Sequence, residues 1–133
     1  MFEADSSITF VALKKILIIE DDADTAEVVT LIFESAFEII SVNDLIPIER
    51  VIYMNPNIII LDNRLNSGLG SAFCKELKAN PFTRYIPVLF FSGEMGLEKI
   101  ANEVGADAYL EKPFDLIDLE NVVRKFSGSL PTS

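Results

Sequence analysis

Along the chain, apolar and polar positions alternate between two periods. Short, nearly unbroken apolar runs fall at 16 to 19, 37 to 42, 58 to 61, 86 to 91 and 108 to 110, and between them apolar residues recur every three or four positions. An aliphatic run without polar alternation is what a strand buried on both faces requires, whereas the wider spacing lays one stripe of a helix against a core. The pattern predicts five strands alternating with five helices, and hence an α/β fold with a parallel sheet covered on both faces.

The helical stretches carry their own punctuation. Val28, Val29, Ile32, Phe33 and Ala36 form the first stripe, and Asp21, Asp22 and Asp24 precede it, where carboxylates cap free N–H groups and favour the positive end of the helix dipole. Residues 43 to 55 predict a short second helix, with Pro47 suited to its first turn and Ile48, Val51 and Ile52 on one face. Ala72, Phe73 and Leu77 mark the third, stopped by Asn80-Pro81, and Leu97, Ile100, Ala101 and Val104 mark the fourth, closed by Gly105. Leu116, Leu119, Val122, Val123 and Phe126 mark the fifth, opened by Asp115. One domain is expected over 14 to 126, with an N-terminal extension at 1 to 13 and a loose C-terminal tail at 127 to 133. The extension includes the strand-like run Ile8-Thr9-Phe10-Val11-Ala12-Leu13.

Composition narrows the chemistry. With 21 Asp and Glu against 11 Lys and Arg, the net charge of −10 opposes a polyanionic partner, so direct nucleic-acid binding is not expected. The chain has no histidine, and its only cysteine is Cys74, which is expected to be a small buried thiol beside Phe73. An intramolecular disulfide and cysteine–histidine metal chemistry are thereby excluded, leaving carboxylates, hydroxyls and lysine. No apolar run is long enough to span a bilayer, and Glu3 and Asp5 stand where a secretory signal would carry positive charge. A cytoplasmic, reduced setting is expected. At 133 residues no room remains for an output domain, unless the chain is part of something longer.

The chemistry gathers at strand ends. Ile16-Leu17-Ile18-Ile19 runs into Glu20-Asp21, and Ile58-Ile59-Ile60-Leu61 runs into Asp62. In a doubly wound sheet of order 2-1-3-4-5 the strand order reverses between strands 1 and 3, and ligands bind at that crevice, beyond the carboxyl ends. Three carboxylates meeting there need compensating positive charge, and a half-open set of oxygen ligands suits Mg2+ together with a phosphoryl group. Ser92 and Lys112 follow the next two strands, where a hydroxyl and an ammonium can bind phosphoryl oxygens.

In ILIIEDD (16–22), PNIIILDNR (56–64), Gly70, PVLFFSG (87–93) and GADAYLEKPF (105–114), the chain resembles the response-regulator receiver domains of two-component signalling. The motifs stand in the family's order and spacing, and the resemblance covers about residues 14 to 126. It implies a flavodoxin-like three-layer sandwich in which Asp62 is the phosphoacceptor. It further implies that Glu20, Asp21 and Asp62 hold Mg2+ with the backbone carbonyl of Arg64, and that Ser92 and Lys112 contact the phosphoryl group. Tyr109 is then the switch aromatic, and Arg64 and Glu94 flank the path of the water that removes the phosphoryl group. The implied donor is a sensor histidine kinase or a histidine phosphotransfer protein. A downstream protein would meet the fourth helix, fifth strand and fifth helix, with no membrane insertion. Such a switch catalyses its own aspartyl phosphorylation and dephosphorylation.

Departures from the family pattern are Asn66 where a proline is common, Ser92 for the commoner threonine, and the short second helix. Other readings fit less well. Gly68-Leu69-Gly70-Ser71-Ala72-Phe73 lacks the third glycine of a dinucleotide fingerprint. A dehalogenase-type phosphatase needs a second Asp where Arg64 stands, and an EF-hand loop starting at Asp21 or Asp22 would put alanine at a ligand position. The alternative function is a receiver-like module that binds partners without phosphorylation.

Overall fold

The computed structural model describes residues 13–127. The expected extension, apart from Leu13, and the expected tail, apart from Ser127, lie outside these residues. The elements run β1 (Lys14–Ile19), α1 (Ala23–Phe33), β2 (Phe37–Val42), α2 (Ile48–Met54), β3 (Ile58–Leu61), β4 (Arg64–Leu65), β5 (Gly68–Leu69), α3 (Gly70–Ala79), β6 (Val88–Ser92), α4 (Leu97–Val104), β7 (Ala108–Glu111) and α5 (Leu116–Ser127). Five strands pair in parallel in the order β2-β1-β3-β6-β7. This is the 2-1-3-4-5 order expected from the sequence, with a small antiparallel β4-β5 hairpin inserted after β3.

Alternation along each strand divides the core between the two faces of the sheet. Ile16, Ile18, Ile58, Ile60, Leu89 and Phe91 pack with Val29 and Phe33 of α1 and Leu119 and Val123 of α5. Leu17, Ile19, Ile59, Leu61, Val88 and Phe90 pack with α2, α3 and α4 through Val51, Phe73, Leu77, Leu97 and Ala101. Three layers result. All four side chains of β3 are fully buried, each stabilising the fold by about 2 kcal/mol. That burial pins Asp62, the next residue, at the sheet's carboxyl end.

The helix boundaries follow local chemistry. Asp22 caps α1, its side chain accepting from the Thr25 N–H at 3.1 Å and from the Thr25 hydroxyl. Gly105 ends α4 in the left-handed region at φ 78°, which a side chain would disfavour. Helix α2 has only seven residues, and Pro47 stands just before it with extended backbone rather than within its first turn.

Several stripe residues depart from expectation. Val28, Ala72 and Leu116 are exposed, and Ala36 lies beyond the end of α1. For Val28, Ala72 and Leu116 the apolar arc read from the sequence is wider than the strip of helix that the sheet covers, while Ala36 still packs, partly buried, against the core. Cys74 is fully buried as expected, and desolvation pushes its thiol up to about 11, which makes it unreactive.

Candidate functional site

The site assembles at the carboxyl ends of four neighbouring strands. Ile19 pairs with Leu61 across β1 and β3, so Glu20 and Asp62 emerge side by side. Their positions are fixed by backbone bonds, from Glu20 N–H to the Val42 carbonyl at 3.1 Å and from Asp62 N–H to the Ile19 carbonyl at 3.0 Å. Carboxylate oxygens of Glu20, Asp21 and Asp62 lie within 4.8 Å of one another. Glu20 and Asp62 are buried, while Asp21 is exposed at the rim.

Lys112 closes the cluster from β7. Its ammonium lies 2.5 Å from Glu20 Oε1, 3.8 Å from Asp62 Oδ2 and 4.8 Å from the centre of the Phe91 ring. The Lys112 backbone N–H donates to the Ser92 carbonyl at 2.9 Å, which holds the two strand ends together. Ser92 is buried, its hydroxyl accepting from the Glu94 N–H at 3.3 Å. Asp21, Asp62, Arg64, Ser92, Gly93, Glu94 and Lys112 line a cleft of about 410 Å³.

Burial pushes the Glu20 carboxyl up to about 7, and the neighbouring Asp62 carboxylate adds to this, although Lys112 and the Asp22 N–H oppose it. One lysine therefore does not neutralise the group, and a hard divalent cation among these oxygens would supply the missing charge. The donor set fits Mg2+, because every side-chain ligand atom is a carboxylate oxygen and the site is open on one side.

Gly70, at the start of α3, is a steric requirement of the same loop. A Cβ there would lie 2.1 Å from the Asp62 carbonyl oxygen and 3.1 Å from Asn63 Cα. The close approach lets the Gly70 N–H donate to the Asn63 carbonyl at 2.7 Å.

Of the residues singled out in the sequence, Glu20, Asp21, Asp62, Arg64, Ser92, Glu94 and Lys112 come together. Arg64 Nη2 meets Glu94 Oε2 at 3.0 Å, with the arginine side chain largely in solvent. Tyr109 is not among them. It sits on β7 opposite Phe90, two residues before Glu111, which pairs with Ser92, and the residue is 38% exposed. Partial desolvation and Glu98 of α4 raise its phenol above the usual range. Sequence reasoning missed Asn63, which is buried and donates from Nδ2 to Glu94 Oε1 at 2.6 Å. Its one available signal was an amide directly after a strand-end acid within a buried run.

Comparison with known proteins agrees with this architecture. The profile of the response regulator receiver domain family matches residues 16–124. The phosphate regulon transcriptional regulatory protein PhoB of Escherichia coli is 34% identical over 112 residues, which cover 76% of this chain and 46% of that protein. The chain thus spans about half the length of the curated relatives it matches. Among solved structures, a response regulator from Chloroflexus aurantiacus superposes with a TM-score of 0.79 at 28% identity, covering 86% of this chain and 98% of that one. The receiver domain of a Pseudomonas aeruginosa sensor histidine kinase, solved with a magnesium ion in its active-site cleft, gives 0.75 at 22% identity, covering 89% and 100%. No helix among the described residues is long and apolar enough to cross a membrane.

Proposed function

Because the chain belongs to the response regulator receiver domain family of two-component signalling, we propose that it is a phosphoacceptor switch that takes a phosphoryl group onto Asp62 from a phosphohistidine. The observation that carries this reading is the convergence of Glu20, Asp21 and Asp62 within 4.8 Å, with the Lys112 ammonium against two of them. Asp62 Oδ1 accepts from the Asn63 N–H at 2.7 Å, which leaves Oδ2, the oxygen nearer Lys112, to attack phosphorus. The P–O bond forms as the P–N bond to the donor imidazole breaks, and the electron pair leaves with the imidazole.

A carboxylate is a weak nucleophile, so positioning and charge neutralisation supply the catalysis. Glu20, Asp21, Asp62 and the Arg64 carbonyl are the proposed Mg2+ ligands. When bound, the ion neutralises charge on the transferring oxygens. Lys112 binds one such oxygen, loosening its hold on Glu20, and the Ser92 hydroxyl binds another. A phosphoryl group adds roughly −1.5 to −2 charge, enough to draw Ser92 inward and open space for Tyr109 to turn from its exposed position. That movement would change the face formed by α4, β7 and α5, where a downstream protein would bind.

The donor would be a sensor histidine kinase or a histidine phosphotransfer protein. Exposed Val28 and Leu116 flank Lys112 in an apolar groove between α1 and α5, which suits a helical partner presenting its histidine to the cleft. The Arg64–Glu94 pair lies along the cleft mouth and would slow the water that hydrolyses the phosphoryl group. The acidic charge makes direct DNA binding by these residues an expected negative in a gel shift at physiological salt.

The test is intact mass after incubation with Mg2+ and acetyl phosphate. The expected result is one added phosphoryl unit, lost in Asp62→Asn. An unmodified wild type that still binds partners would favour the phosphorylation-independent module.

A further inference from the structure

Asn63 is hydrogen-bonded through its backbone and its side-chain amide to Asp62, to the start of α3 and to Glu94. Its N–H donates to Asp62 Oδ1 at 2.7 Å, and its carbonyl accepts from the Gly70 N–H at 2.7 Å. Its Oδ1 accepts from the Ser71 N–H at 2.7 Å, and its Nδ2 donates to Glu94 Oε1 at 2.6 Å. The residue is 2% exposed. A buried amide with all its partners satisfied holds one orientation, since turning it would leave a donor facing a donor at Ser71 and an acceptor facing a carboxylate at Glu94.

Glu94 is the other half of the arrangement. One of its oxygens takes Asn63 Nδ2, the second takes Arg64 Nη2 at 3.0 Å, and its N–H donates to the Ser92 hydroxyl at 3.3 Å. A circuit of hydrogen bonds thus runs from Asp62 through Asn63 and Glu94 to Ser92. It joins the β3 end to the β6 end beside the cleft that Arg64, Ser92 and Glu94 line. The exposed Arg64–Glu94 pair alone is worth only about 0 to 1 kcal/mol, too little to hold that cleft shut. The bond from the buried Asn63 amide supplies the rigid anchor.

We propose that Asn63 is a positioning residue that locks Glu94 across the cleft and thereby sets the lifetime of a phosphoryl group on Asp62. This rests on the reading of Asp62 as phosphoacceptor. Asn63 touches no reacting phosphoryl oxygen. It acts by holding Glu94, and with it Arg64, where attacking water must pass.

The chemistry of the pair permits a swap. In Asn63→Asp, the new carboxylate still accepts from Ser71 but repels Glu94. In Glu94→Gln, the single amide oxygen can serve Asn63 or Arg64 but not both. In the double variant N63D/E94Q, the new amide donates to the new carboxylate and its oxygen remains for Arg64, so both links are restored with donor and acceptor exchanged.

The experiment is to phosphorylate each protein with acetyl phosphate at saturating Mg2+, remove the donor, and follow decay by intact mass. Each single variant is expected to shorten the half-life by about tenfold or more, the size of one lost charge-assisted hydrogen bond. The double variant should return to within about twofold of wild type. A double variant that decays as fast as Asn63→Asp overturns the proposal and leaves the acceptor assignment intact. Glu94→Ala, on the loop after β6, covers the case in which Asn63→Asp does not fold. It should shorten the half-life as the other single variants do, and wild-type decay there also overturns the proposal. If the wild type takes up no phosphoryl group, the acceptor reading fails and this inference fails with it.

Discussion

Replacing Gly70 by alanine tests whether the acceptor loop is built as described. The added methyl would sit 2.1 Å from the Asp62 carbonyl oxygen, 3.1 Å from its carbonyl carbon and 3.1 Å from Asn63 Cα. Ordinary carbon–oxygen contacts are about 3.5 Å, so the overlap is more than an ångström. All three contacts are backbone, so no side-chain rotation can relieve them. Either α3 moves away, breaking the Gly70 N–H to Asn63 carbonyl bond, or the end of β3 shifts and carries Asp62 with it. Overpacking of this kind costs about 3 kcal/mol, which for a domain of this size lowers Tm by about 10 °C. Mg2+ affinity should fall as well, because Asp62 leaves its place beside Glu20 and Asp21. Thermal unfolding with and without Mg2+, with a calorimetric Mg2+ titration, reads both effects. A Tm within about 2 °C of wild type and an unchanged Mg2+ affinity would refute the close approach.

Other outcomes follow from the same geometry. Glu20 rises from 4.5 to about 7 on folding. Its contribution to metal-free stability is therefore fully present below about 4.5 and lost as pH rises through about 7. Mg2+ binding, which needs the ionised form, should weaken about tenfold per unit below pH 7 and level off above it, as a calorimetric pH series would show. Lys112→Ala should slow phosphorylation from acetyl phosphate by about tenfold or more, through loss of the cation beside Asp62 Oδ2, and unchanged uptake in the mass assay would make its role structural. Lys78, at the opposite end of the sheet, donates to the Ile86 carbonyl, the Arg84 carbonyl and Asp107. Lys78→Ala should cost about 2 kcal/mol in chemical denaturation while leaving Mg2+ affinity alone.

What was legible in the sequence was what burial controls. Ile58 to Leu61 and Ile16 to Ile19 have no polar alternation because both sheet faces are covered, so their periods announced the strands and the acids after them announced the cleft. Less legible were features set by contacts between distant segments. The β4-β5 hairpin spans four paired residues, too few for a period, and forms where Gly70 lets the loop close on Asp62. The roles of Val28 and Leu116 could not be read from helical spacing, because a stripe on a helix wheel does not say how much of it the sheet covers. Asn63 was hidden because its partners, Ser71 and Glu94, lie 8 and 31 positions away.

The central claim is that Asp62 is the atom donor to a new phosphate bond, and chemical mapping tests it most directly. Protein phosphorylated with acetyl phosphate and Mg2+ is reduced with borohydride, which converts an aspartyl phosphate to homoserine, and the peptides are then sequenced by mass spectrometry. The account predicts homoserine at position 62 and aspartate unchanged at positions 21 and 22. Homoserine at another carboxylate, or a phosphorylated protein with Asp62 intact, would contradict it.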